Sequence, residues 1–258
     1  MPDSIEVVLR IDAPRVRLWA ALSQATHLEH WQADQARGDL GRGRIRLAWP
    51  ALGVETELFV VEQEPERRLV LASGRSSVTF ELEPDALRVT HDGLDDDDER
   101  DGVKSSWLVA LRVLEHYVTH HFGKPRSVHW TVTPAVSTAA AAHVFYSDQH
   151  ALNAWLTKGG TGIGPAGSDV ELTLRWGEPL SGRVLANTPG RDLAVTWQQQ
   201  NDSVLVFRTL PSPLEAGERI LALCWSHWEC QKEDEPTRRQ FEAALAGLKQ
   251  LLATRGDA

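Results

Sequence analysis

The stretch VKSSWLVALRVLEHYVTHH, residues 103–121, returns in pattern as TRRQFEAALAGLKQLLATR, residues 237–255. Trp107, Ala110, Leu111, Leu114 and Val118 stand 134 positions before Phe241, Ala244, Leu245, Leu248 and Leu252. In each copy the apolar residues fall three and four apart, which lines one face of a helix. Two such helices, expected over 103–121 and 236–254, each closing one half of the chain, point to an internal repeat.

Working back from these helices, the rest of the unit also repeats. Leu28 and Trp31 precede Leu152 and Trp155 by 124 positions, and Pro65, Leu69 and Leu71 precede Pro189, Leu193 and Val195 by the same interval. Trp49 and Trp176 end equivalent strands. Residues 5–11 (IEVVLRI) alternate as a half-buried strand does. Asp12-Ala13-Pro14 then opens a helix with Val16, Trp19, Ala20 and Leu22 on one stripe, and a second short helix is expected near Leu28–Trp31. Strands are predicted at 44–49, 54–61, 69–72, 77–82 and 87–91, and the acidic run Asp95–Glu99 reads as a solvated loop before the long helix. After Lys124-Pro125 the order restarts: a strand at 128–133, helices at 137–146 and 149–156, and strands near 169–176, 181–187, 192–199, 203–209 and 219–226. Each half reads strand, two short helices, five strands, long helix. The predicted domains are 1–124 and 125–258, with the boundary near Gly123–Ser127.

Composition limits the function classes. The 258 residues are 42% hydrophobic and 24% charged, with a formal charge of −9. Disordered, collagenous and coiled-coil chains do not fit. A net negative chain without a basic cluster argues against nucleic acid as partner, and no apolar run approaches the ~20 residues of a membrane span. Two cysteines make no disulfide framework, and the N-terminus has no signal-like apolar region, so a cytoplasmic protein is expected. Ten Trp against two Tyr is unusual. Indoles bring large apolar area and one N–H donor, which suits big cores and the walls of apolar cavities.

These residues resemble the START-like (SRPBCC) superfamily, and within it the branch named for the activator of heat-shock-protein-90 ATPase. The first half carries Ala13-Pro14 before a helix, Val16, Trp19 and Leu22 along it, Trp31 after it, and Gly41 and Gly43 before a strand. Thr90-His91-Asp92-Gly93-Leu94 stands where that branch has a His-x-Gly-aromatic turn, and Trp107, Leu111, Leu114 and Tyr117 fit its last helix. The second half is a diverged copy: its turn reads Ser226-His227-Trp228 without the Gly, Phe241 stands for the helix Trp and Leu251 for Tyr117. The resemblance implies an α+β fold of two tandem START-like (helix-grip) domains, each a curved antiparallel sheet wrapped around a long C-terminal helix. Such folds often leave a cavity between sheet and helix, used for lipid or hormone binding, polyketide cyclisation, co-chaperone action or stress sensing.

Aromatic residues on inferred inward parities are the candidate ligand-binding set: Trp49, Phe80, His91 and Trp107 in the first half, and Trp130, Trp176, Trp197 and Trp225 in the second. They could wall an apolar cavity or fill a core. His91 is the one candidate catalytic group, able to anchor a carbonyl or hydroxyl or to move a proton, although a His at such a turn more often bonds the backbone and holds the loop. Other ionisable groups on inward parities are Arg208 and Glu62. His116 and His120 have zinc-ligand spacing, but the apolar stripe places them toward solvent. Cys224, His227 and Cys230 lack a fourth ligand. Gly162-Ile163-Gly164-Pro165-Ala166-Gly167 matches a dinucleotide fingerprint in letters, yet it follows a helix and precedes a strand, the reverse of what phosphate binding needs. It reads as a flexible loop, a candidate lid. No metal or cofactor is expected. The leading expectation is a small hydrophobic ligand bound without chemistry. The alternatives are an aromatase/cyclase-type enzyme and a co-chaperone or other protein-interaction module.

Overall fold

The computed structural model describes residues 4–212, 218–229 and 235–256. The chain forms two compact units, Met1–Arg126 and Ser127–Ala258. Each is an α+β unit built on a seven-stranded antiparallel sheet.

In the first unit, strand β1 (Ser4–Leu9) leads to helices α1 (Arg15–Ser23) and α2 (Ala25–Leu28). Strands β2 (Gln35–Asp39), β3 (Arg44–Trp49), β4 (Val54–Glu64), β5 (Arg68–Ser73), β6 (Ser76–Leu82) and β7 (Leu87–Asp92) follow, then helix α3 (Asp97–His116). The sheet order is β1-β7-β6-β5-β4-β3-β2. Six strands, not five, therefore come after the helix pair. The additional one, β2, is an edge strand reading QARGD with only Ala36 buried. An edge with one inward residue shows no alternation for a sequence reading to detect.

Side chains alternate across a strand, so the pairing defines one inner face. Val78 lies opposite both Leu71 and His91, and His91 opposite Ile5. One row over, Leu69, Phe80, Val89 and Val7 line up; on the other side Ser73 lies opposite Ser76. The inner face thus grades from apolar at the Phe80 row to hydroxyl-bearing at the β5–β6 hairpin. The outer face carries cross-strand ion pairs such as Arg46–Glu55, at 3.3 Å, and Arg88–Glu6, at 2.7 Å. Glu62 is on that outer face, bonded to Arg68 and exposed, so it is not an inward group.

Helix α3 begins earlier than its apolar stripe. Asp96 caps it by accepting from the Glu99 amide at 2.8 Å, and Asp97, Asp98 and Glu99 form its first turn. Most of the acidic run is therefore the helix start rather than a loop, where carboxylates oppose the positive end of the helix dipole. Trp107, Leu111, Leu114 and Val118 are buried, as the spacing predicts. Beyond His116 the helix widens into a π turn over Tyr117–His121.

The second unit repeats the plan with β8 (Arg126–Val136), α4 (Ala139–Ser147), α5 (Gln149–Trp155), β9 (Thr157–Gly160), β10 (Asp169–Leu174), β11 (Pro179–Asn187), β12 (Leu193–Trp197), β13 (Ser203–Pro211), β14 (Glu218–Trp228) and α6 (Glu235–Gly256). Its order, β8-β14-β13-β12-β11-β10-β9, is that of the first sheet. Again the edge strand, β9, is absent from the sequence expectation, because TKGG carries no pattern. The repeat extends to single bonds. Trp31 Nε1 donates to the Ala21 carbonyl at 2.9 Å, and Trp155 Nε1 to the Phe145 carbonyl at 2.8 Å. Each indole locks its two-helix corner in the same way.

Candidate functional site

Between the inner sheet face and α3 of the first unit lies a cavity of about 320 Å³. Its apolar wall includes Leu22, Leu28, Ile45, Leu71 and Phe80, and all four first-half candidates, Trp49, Phe80, His91 and Trp107, line it. Trp107 meets Phe80 edge-on at 5.6 Å between ring centres. The polar lining is Gln32, Thr56, Ser73, Ser76, Ser77 and His91. None of the described lining residues is Asp, Glu, Lys or Arg.

His91 has a defined state. Trp107 Nε1–H, which can only donate, meets His91 Nδ1 at 3.0 Å. Nδ1 must therefore be the bare nitrogen, and the proton of the neutral ring sits on Nε2. That atom donates to Ser76 Oγ at 2.6 Å, and the Ser76 hydroxyl donates on to the Asp92 carbonyl at 3.1 Å. Burial holds the His91 pKa below its ordinary value, with Asp92 and Glu99 partly offsetting it. Both ring nitrogens are thus engaged by the protein, and the ring is a brace between α3 and the β5–β6 hairpin. Gly93 makes the adjoining turn possible: its φ is +82°, and a Cβ there would stand 2.5 Å from the Arg75 carbonyl oxygen.

The remaining polar groups differ in how fully they are used. Thr56 Oγ1 and Ser73 Oγ pair at 3.3 Å, so one of the two protons stays free of this bond. Trp49 Nε1 donates to the Gln32 backbone carbonyl at 3.1 Å. The Gln32 side-chain Oε1 is buried and has no hydrogen-bond partner. The sequence holds no signal for Gln32, since a lone Gln after a helix looks like a surface residue.

In the second unit the corresponding space is filled. Strand registers place Trp197 where the first unit has Ser73, and Trp225 where it has His91. Trp197 and Trp225 are 0% and 1% exposed, with rings 5.8 Å apart, and both pack on Phe241. Trp225 Nε1 donates to Ser203 Oγ at 2.9 Å, the counterpart of the His91–Ser76 bond. These two indoles are core residues, not a cavity wall. Trp176 is half-buried, packs edge-on against Phe241 at 5.3 Å, and borders a shallow groove of about 190 Å³. Trp130 is not inward: its neighbour His129 lies 5.6 Å from Trp225, and alternation puts Trp130 on the opposite face. Matching Ser226-His227-Trp228 to Thr90-His91-Asp92 shifts this strand by two residues, since Trp225 is the true counterpart of His91.

The structure also places the other sequence candidates. His120 is exposed, as expected, whereas His116 is buried, which corrects the solvent-facing reading for that residue. Cys224 and His227 point to opposite faces of β14, and Cys230 lies outside the described residues. Among the described residues no cluster of three or more His, Cys, Asp or Glu could hold a metal. The 162–167 loop is tied down, with Ile163 buried and Asn187 Nδ2 donating to the Gly164 carbonyl at 2.8 Å, so it is not a loose lid. Arg208 bonds Asp192 at 3.1 Å on the face of β13 opposite Phe207. No helix among the described residues is long and apolar enough to cross a membrane.

Each unit is thus an antiparallel sheet followed by a long C-terminal helix, with a cavity on the inner sheet face in the first copy. Residues 12–119 match the family described as Activator of Hsp90 ATPase homolog 1-like protein. Among similar solved structures is a protein from Mesorhizobium loti, 25% identical over 44% of this chain and 94% of its own, with a TM-score of 0.41. DynU16, from the dynemicin biosynthetic locus, is 18% identical over 98% of this chain and 100% of its own, with a TM-score of 0.42. BexL, a di-domain ARO/CYC from the BE-7585A biosynthetic pathway, is 14% identical over 99% and 95%, with a TM-score of 0.41. The comparison with curated proteins gave no match.

Proposed function

We propose that the first unit binds a small, mostly apolar molecule in the cavity between its sheet and α3, and that the second unit is a filled structural copy. The observation that carries this reading is the 320 Å³ aromatic-walled cavity, set against Trp197 and Trp225 in the same place of the second unit. Apolar pockets with a few fixed polar groups are the usual form of small-molecule sites. A cyclase-type reading would route proton transfer through His91, the one imidazole in the lining. Its two hydrogen bonds leave neither nitrogen open to a substrate, which favours binding over catalysis. The test is a titration with naphthalene followed by the indole N–H resonances in NMR. The expected result is saturable shifts of Trp49 and Trp107 with Trp197 and Trp225 unmoved. Shifts confined to Trp197 and Trp225, or no shift at all, would reject the reading and bring a protein partner to the front.

A further inference from the structure

The cavity that the binding reading above assigns to a ligand has one imidazole among its described lining residues, His91, and no Asp, Glu, Lys or Arg. The ring is half-buried. Burial disfavours its charged form, while two carboxylates favour it: Asp92 beside it on β7 and Glu99 in the first turn of α3. Its other neighbours carry no charge. Strand β6 presents Ser76 and Val78, β1 presents Ile5, and α3 presents Trp107. Arg75, in the β5–β6 turn, is bonded to Asp95.

Two effects set a charged His91 against an apolar guest. The first is geometric. Nε2 already carries the proton given to Ser76 Oγ, so a second proton has only Nδ1 to go to. Nδ1 is the atom that accepts from Trp107 Nε1–H at 3.0 Å. Two donors would then face each other, and the bond that ties the indole to the sheet is lost. Trp107 is the one described residue of α3 that lines the cavity, so the helix side of the site loses its anchor. The second effect is solvation. A molecule filling the cavity displaces water from a ring that lines it, and this penalises the imidazolium but not the neutral ring. An apolar guest offers no acceptor in place of that water.

Coupling between two binding events is reciprocal. A guest that makes the ring harder to protonate is itself held less tightly, by the same factor, once the ring is protonated. Affinity is therefore full where His91 of the free protein is neutral, and it falls as pH drops through the titration of that ring.

We infer that the cavity is a proton-linked site, in which a charged His91 and an apolar guest exclude one another, so that a ligand held at neutral pH is released in acid.

Naphthalene is the probe, because it has no titratable group and any pH dependence belongs to the protein. The histidine rings of the full chain are followed by NMR from pH 7.5 to 5, with and without saturating naphthalene. The His91 titration should move to lower pH. His27 and His30, which bond Tyr117 and do not line the cavity, should stay where they are. Naphthalene affinity should fall roughly threefold to tenfold across the His91 titration. In His91→Gln the amide can still accept from Trp107 and donate to Ser76 but cannot titrate, so naphthalene should bind equally at pH 7.5 and pH 5. His91→Asn serves if the Gln variant does not fold, and the ring titration of the unaltered chain decides alone if neither does. If naphthalene binds at pH 7.5 but leaves the His91 titration unmoved or raises it, or if His91→Gln keeps the pH dependence, the proton linkage is overturned and the binding reading stands. If naphthalene does not bind at pH 7.5, both fall.

Discussion

Replacing Trp107 by Phe isolates one feature of the site, the hydrogen bond that fixes the state of His91. Phe keeps a ring against Phe80 but has no N–H, so His91 Nδ1 loses its donor at 3.0 Å. A net hydrogen bond is worth about 1 kcal/mol, and leaving a buried acceptor unsatisfied costs about 1–3 kcal/mol. His91 is only half-buried and lines the cavity, so the lower end applies, about 1–2 kcal/mol in total. With a urea slope of about 2 kcal/mol/M, the unfolding midpoint of the first unit should fall by roughly 0.5–1 M. The His91 pKa should also rise, because the lost bond favoured the neutral ring. The assay is urea unfolding together with an NMR titration of the His91 ring. The unaltered protein should show the Nε2–H form, neutral at pH 7. An Nδ1–H tautomer, a charged ring, or a variant as stable as the parent with an unmoved titration would refute the brace.

Three further outcomes rest on the same packing. Phe241→Ala empties the centre of the Trp176–Trp197–Trp225 cluster; it should destabilise the second unit by about 3–5 kcal/mol and create a benzene-binding void, seen by denaturation with and without benzene. Gly93→Ala should cost more than about 1 kcal/mol from its left-handed φ alone, with a backbone collision on top, whereas Gly53→Ala, with nothing within 4 Å of its Cβ, should cost less; unfolding midpoints decide. His27, His30, His91 and His143 all have pKa values lowered mainly by burial, so the unfolded chain takes up protons first as pH drops below about 6.5. Stability should therefore be flat above that pH and fall below it, and a midpoint that is constant or rises from pH 7.5 to 5 would contradict this.

Much of the fold is legible in the chain because its signals are periodic. The Leu28/Trp31 and Leu152/Trp155 pairs, the alternating strands and the two amphipathic helices all reflect residues that repeat their surroundings. The edge strands β2 and β9 are invisible because QARGD and TKGG bury almost nothing. Parity puts Trp49, Phe80, His91 and Trp107 on the inner face, and they do meet at one cavity. Parity fails at Trp130, where a run of half-buried residues offers two equally plausible faces. The decisive contrast between the units, Ser73 and His91 against Trp197 and Trp225, needs strand register, which composition does not carry. The sequence offers His91 either as a ligand anchor or as a histidine that holds its turn, and only the meeting of α3 with the β5–β6 hairpin reveals that its nitrogens are already taken.

The chain itself supplies the sharpest experiment, because the second unit shows what plugs the cavity. Ser73→Trp places an indole where Trp197 stands in the copy that is filled. Naphthalene affinity would be measured by NMR for the parent and for this variant, with the dispersion of the remaining resonances confirming the fold. Saturable binding to the parent and its loss in a folded Ser73→Trp is the predicted result. Equal binding to both would contradict a ligand cavity between the first sheet and α3.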